Sequence, residues 1–178
     1  MAQRYTRGSE PTFTRPKIEN NEYRFAIGRV DKRCADPLVV LGMNPSHATM
    51  KRSDRTVNRV IRASEELGHD GWVMLNLYPE RNPDQQSLGK YSKKLSKKNA
   101  RAIVKRVRKL GVKRILGAWG DLKHPALKRA RSDVLKRLKK AGIEVYYFGS
   151  LTKNGNPRHP NPRSGEWKTV APRKRLKI

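Results

Sequence analysis

Pro37-Leu38-Val39-Val40-Leu41-Gly42 runs without a break into Met43-Asn44-Pro45-Ser46-His47, and this junction decides the fold. An apolar run with no alternating polar position marks a strand buried on both faces, and Pro45 turns the chain as soon as it emerges. A strand covered on both sides belongs in a parallel sheet between helices.

The pattern extends outward from there. Upstream, Tyr23-Arg24-Phe25-Ala26-Ile27-Gly28-Arg29-Val30 alternates as a strand. Downstream, Asp54 opens a helical period that places Val57, Val60, Ile61 and Ser64 on one face, with Leu67-Gly68 as its stop. Trp72-Val73-Met74-Leu75-Asn76-Leu77 is the next strand, followed by a Pro-, Asn- and Gln-rich loop over 79–92 of a length that tends to be functional. A second helix carries Ala100, Ile103, Val104, Val107 and Leu110 on one face and a row of Lys and Arg on the other, ending at Gly111. Arg114-Ile115-Leu116-Gly117-Ala118-Trp119 is a strand, Leu127, Ala130, Val134, Leu138 and Ala141 define a third helix, and Ile143 to Phe148 closes the series as a strand.

This alternation predicts an α/β fold: a three-layer αβα architecture with a central, mostly parallel four-stranded sheet and right-handed crossovers. Residues 1–20, polar and carrying Pro11 and Pro16, are expected as a flexible basic arm, 21–166 as the α/β domain, and 167–178 as a basic tail.

Charge narrows the partner. Lys and Arg number 42 against 15 Asp and Glu among 178 residues, a formal net charge of +27. Such an imbalance attracts polyanions, DNA first, and the chain is expected to act as a monomer. No run approaches the eighteen or so apolar residues of a membrane span, and the N-terminal residues lack a signal-peptide core, so no membrane partner and a cytoplasmic location are expected. Cys34 is the only cysteine, and His47, His69, His124 and His159 lack ligand spacing, so neither metal nor other cofactor is expected. Nucleoid and ribosomal proteins reach similar charge without chemistry, which keeps a non-catalytic nucleic-acid binder as the alternative. A hydrolase of free nucleotides ranks third, having little use for the charge.

In a parallel sheet the residues just beyond each strand converge on one cleft. Here those ends are Gly42-Met43-Asn44-Pro45-Ser46-His47, Asn76-Leu77-Tyr78-Pro79, Trp119-Gly120-Asp121, and the segment from Gly149 to Pro162 that holds His159. Asn44, Asn76 and His159 together suit a site that reads a planar heterocycle by hydrogen bonds. Each residue also has an ordinary role: Asn after a buried strand usually caps a turn, His before Pro is usually exposed, and Trp72, Trp119, Tyr146, Tyr147 and Phe148 suit a core.

Gly42 to His47 resembles the water-activating motif of the uracil-DNA glycosylase superfamily, Leu75-Asn76 its base-reading Asn, Ile115 to Gly120 its apolar strand ending in Trp-Gly, and His159-Pro160-Asn161-Pro162 its catalytic His turn. The likeness covers residues 38–164. The chain is closer still to a bacterial and phage family with an Asn-Pro-Ser turn (Asn44-Pro45-Ser46), an Asp-x-Thr-x-x-Arg motif (Asp54, Thr56, Arg59) and a Thr-Lys-x-Gly-x-Pro-x-His-Pro segment (Thr152 to Pro160).

The resemblance implies a monofunctional DNA glycosylase that flips a nucleotide out of the helix and hydrolyses its N-glycosidic bond, in base excision repair or in antiviral defence against phage. It implies that Asn44 positions water, that His159 stabilises the departing base, and that Asp54 polarises the water or orients the Asn44 loop. Gly42, Met43, Ser46 and Asn76 would form the base pocket, and Arg59, Lys153, Arg158 and Arg163 would bind DNA. Ser46 stands where uracil-specific enzymes have a bulky Tyr, so the expected target is a larger, 5-modified pyrimidine. The loop after His159 lacks a Leu wedge, a task that falls to Arg158 or Arg163.

Overall fold

The computed structural model describes residues 2–162, 167–169 and 172–178. In chain order the elements are β1 (Ala2–Gln3), β2 (Phe13–Arg15), β3 (Ala26–Arg29), β4 (Pro37–Gly42), β5 (Ser53–Asp54), α1 (Arg55–Glu66), β6 (Gly71–Asn76), α2 (Lys93–Lys109), β7 (Arg114–Gly117), α3 (Pro125–Lys140), β8 (Glu144–Phe148) and β9 (Arg173–Arg175).

All six residues of β4 are buried, as are all six of β6, so these two strands form the centre of the molecule. They pair in parallel from Pro37 opposite Gly71 to Gly42 opposite Asn76. Strands β7 and β8 extend the parallel set on the other side of β4, which gives four parallel strands in the order β6-β4-β7-β8. The expected parallel core is present inside a larger, mixed sheet of seven strands. Antiparallel β2 and β3 flank β6 at one edge, and antiparallel β9 flanks β8 at the other.

Strand order explains the layers. The connection from β4 to β6 runs one way across the sheet, and those from β6 to β7 and from β7 to β8 run the other way. With a common crossover hand, α1 must cover one face and α2 with α3 the opposite one. The packing agrees: Leu38, Val40, Trp72, Met74 and Leu116 meet Val57, Val60 and Ile61 of α1. Their alternate neighbours Val39, Leu41, Val73, Leu75, Ile115 and Val145 meet Ile103 and Val107 of α2 and Leu127, Val134 and Leu138 of α3. The apolar residues read from each helix period are the ones that pack inward. Leu110 and Ala141, at the helix ends, are only partly buried.

The terminal segments depart from expectation. Residues 2–20 are not a free arm, because β2 pairs with β3 and Phe13 packs against the core beneath the guanidinium of Arg106, 4.5 Å from the ring centroid. The C-terminal segment is not a free tail either: β9 pairs with β8, Leu176 is buried, and its N–H donates to the Val145 carbonyl. Both strands have three residues, too short to express a period, and pairing with a sheet edge supplies their order. Among the described residues no helix is long and apolar enough to cross a membrane.

Candidate functional site

The connections leaving β4 and β6 turn to opposite faces of the sheet, so a crevice opens between their carboxyl ends, where α/β proteins bind ligands. A cleft of about 580 Å³ lies there. Its walls include Asn44 after β4, Asn76 ending β6, Gly120 and Asp121 after β7, and Arg158 and His159 from the segment after β8. Met43, Ser46 and Asp54 also line it. Gly42 lies behind the wall: a Cβ there would come within 2.3 Å of Met74 Cε and 3.1 Å of Asn76 Oδ1, so glycine leaves room for the Asn76 side chain.

Asn76 is the most informative residue. It is 1% exposed, and neither Nδ2 nor Oδ1 has a hydrogen-bond partner among the described residues. Buried side-chain amides are normally paired, and leaving such a group unpaired costs about 1–3 kcal/mol. The backbone around it is satisfied, with Asn99 Nδ2 donating to the carbonyls of Asn76 and Leu77. A donor and an acceptor therefore stand ready on the cleft wall.

His159 Nδ1 lies 3.0 Å from the Asn161 N–H and 3.3 Å from the Asn161 carbonyl; the shorter contact makes Nδ1 an acceptor and assigns the proton of the neutral ring to Nε2. Burial holds the imidazole below its ordinary pKa, so it is neutral at pH 7. A neutral Nε2–H is a hydrogen-bond donor for a ligand oxygen.

The loop carrying His159 is built on an anchor network. Thr152 Oγ1 donates to Asp121 Oδ1 at 2.6 Å, Asn156 Nδ2 donates to the same oxygen at 3.0 Å, and Trp119 Nε1 donates to Asn156 Oδ1 at 3.0 Å. The Thr152 hydroxyl first, and then the Asn156 amide, hold the Asp121 carboxyl below its usual pKa. Gly155 turns the loop with φ 72°, and Gly120, at φ 69°, passes so close to His159 that a Cβ would sit 2.9 Å from the His159 Cβ. The residue spacing from Thr152 to His159 is thus the spacing of a turn pinned to the end of β7.

The turn after β4 is held from several sides. Asn44 Nδ2 donates to the Asn82 carbonyl at 2.7 Å and lies near those of Pro45 and Glu80, which ties the turn to the 79–92 loop and fixes the orientation of the amide. Arg81 Nη2 donates to the carbonyls of Ser46 and Ala48, and buried Arg24 also donates to Ala48. Burial and then neighbouring Arg81 bring the Arg24 guanidinium down to about 10, so it remains charged at pH 7.

The remaining residues named from sequence occupy different positions. Asp54 caps α1, with Oδ1 accepting from Val57 N at 2.9 Å, while Oδ2 accepts from Ala48 N at 3.1 Å. Both oxygens organise backbone, so Asp54 orients the loop after Asn44. Arg59 Nη1 donates to the Pro160 carbonyl at 2.7 Å and tethers the His159 loop to α1. Lys153 is exposed in the Thr152–Gly155 turn and does not line the cleft, whereas Arg158 stands at the rim bonded to Ser150. Arg163 lies outside the described residues. Sequence reasoning missed Arg24, Asn82, Gln85, Asp121 and Asn156. The Trp119-Gly120-Asp121 strand end did carry a signal for Asp121.

The cleft contrasts with the whole chain. Its lining cations Arg24, Lys123 and Arg158 are matched in number by Asp54, Asp84 and Asp121. The fold and cleft define an α/β protein with a charge-balanced cleft, lined by amides and an imidazole, at its parallel strand ends. The chain belongs to the family described as Protein of unknown function (DUF1643), which it matches over residues 24–161. No curated protein and no solved structure matches the chain.

Proposed function

We propose that this protein is a DNA glycosylase of uracil-DNA glycosylase-like architecture that excises a flipped, 5-modified pyrimidine base. The observation that carries the proposal is the unpaired Asn76 amide on a cleft that His159 also lines. A pyrimidine edge offers the donor and acceptor that an Asn side chain lacks here, and its carbonyl oxygen suits the imidazole. A cleft with balanced charge favours a neutral base over a free polyphosphate.

Hydrolysis breaks the bond between C1′ and the base nitrogen while positive charge grows on the sugar and negative charge on the base. His159 donates to the base oxygen as it gains charge, which acts where electrostatic stabilisation is most effective. Asn44, its Nδ2 committed to the Asn82 carbonyl, offers Oδ1 to the attacking water. Water oxygen bonds to C1′, its proton passes to solvent, and the released base anion is protonated there. A neutral amide stabilises the sugar cation less than a carboxylate would, so turnover is slow.

The specific observation favouring a non-catalytic nucleic-acid binder is that Asn44 and Asp54 both serve the backbone. The two readings separate when duplexes containing uracil, 5-methylcytosine, hydroxymethylcytosine or glucosylated hydroxymethylcytosine are assayed for alkali-labile abasic sites. A glycosylase produces them from at least one, whereas a binder retains the DNA and produces none.

A further inference from the structure

A second cavity, of about 310 Å³, lies between α2 and α3 and shares no lining residue with the cleft. Lys97, Arg101, Lys136, Arg137 and Lys140 rim it, and Arg137 and Lys140 also line the adjoining cavity that contains Arg108. All six cations are exposed, and none belongs to an ion pair among the described residues. The one acid lining it among the described residues, Asp133, accepts from the hydroxyls of Tyr91 and Ser96 through Oδ2 and brings a single negative charge to the groove. Like charges along two packed helices repel, and one carboxylate offsets only a part of six cations.

We propose that this groove binds the phosphodiester backbone of duplex nucleic acid, independently of the cleft. Both helices start at the carboxyl end of the sheet and run back toward its amino end. From Pro125 to Lys136 is eleven residues, placing that part of the groove about 17 Å along α3 from the cleft end. The row from Lys97 to Arg108 has the same span. A duplex presents a phosphate charge about every 1.7 Å of its axis, so such a row faces several at once. Among the described residues no aromatic side chain lines the groove, and single strands are held by stacking bases on aromatic rings. The groove therefore has the means to hold a backbone and none to hold unstacked bases. Such binding requires no chemistry in the cleft.

The test is binding of an unmodified 30-base-pair duplex, a single strand of the same length and poly-glutamate, across a salt series. The triple variant Arg101→Ala, Lys136→Ala, Arg137→Ala keeps helix-favouring residues, and its thermal melt reports the fold. Loss of three phosphate contacts is expected to make the log–log salt slope shallower by about 2 to 3 and to weaken duplex binding about a hundredfold at 0.1 M salt. The wild type is expected to prefer duplex over single strand, and the variant to lose that preference. His159→Ala should leave the slope unchanged. An unchanged slope in a folded triple variant, or wild-type binding to poly-glutamate tighter than to duplex, would overturn the proposal. Failure of base release in the cleft leaves this result untouched, because the probe contains no modified base.

Discussion

The Asn161 backbone N–H donates to His159 Nδ1 across 3.0 Å, so the imidazole enters the cleft with its proton on Nε2. The contact is local, two residues apart, and Arg59 holds the same turn through the Pro160 carbonyl. Burial keeps the ring neutral. The unfolded chain binds a proton near the ordinary imidazole pKa of about 6.5, and the folded chain binds it only at lower pH. Stability contributed by neutral His159 is therefore complete above that value and is lost as pH falls below it. The wild-type Tm is expected to drop more steeply between pH 7 and pH 5 than that of His159→Gln. Parallel curves would show that His159 titrates normally.

Asp54 is predicted to act through structure. Asp54→Asn keeps the acceptor for Val57 N but loses the one for Ala48 N, so Tm should fall, though less than in Asp54→Ala, while base release by the folded protein stays close to wild type. Asp54→Ala removes the cap and should cost about 1–2 kcal/mol in denaturant unfolding. A large loss of base release in a stable Asp54→Asn variant would assign the carboxylate charge a chemical role instead.

Asn156 is the joint between β7 and the His159 loop, bonded to Trp119 and Asp121. Asn156→Ala leaves the buried Trp119 N–H without its acceptor, a loss of about 1–3 kcal/mol. Because the His159 side of the cleft shifts while Asn76 stays in place, kcat for base release is expected to fall more than KM rises. Denaturant melts and steady-state kinetics check the two parts separately.

The central strands and all three helices were legible because each is long enough to show its period, and the buried faces of α1, α2 and α3 match the apolar positions read from them. Phe13–Arg15 and Arg173–Arg175 were not, since their order comes from edge pairing. Asn44, Asn76 and His159 were legible as strand-end residues once the sheet was parallel. Arg24 was hidden inside an apparently ordinary strand, because its task, holding Ala48, depends on a contact 24 residues away. Asn156 was hidden among loop residues for the same reason, its partners lying 35 and 37 residues upstream.

Asn76→Ala separates recognition from stability. Removing a buried amide that has no partner should leave Tm unchanged or raise it, because the desolvation penalty disappears. Base release should fall sharply at the same time. A marked drop in Tm would show that Asn76 supports the fold, contrary to its role on the cleft wall.

The most direct measurement is mass-spectrometric detection of free base after incubation with duplex and single-stranded DNAs carrying 5-modified pyrimidines, alongside Asn76→Ala and His159→Ala. Release of one modified base by the wild-type protein is expected, with near-complete loss in both variants while DNA binding persists. Tight binding with no base released from any substrate would contradict it.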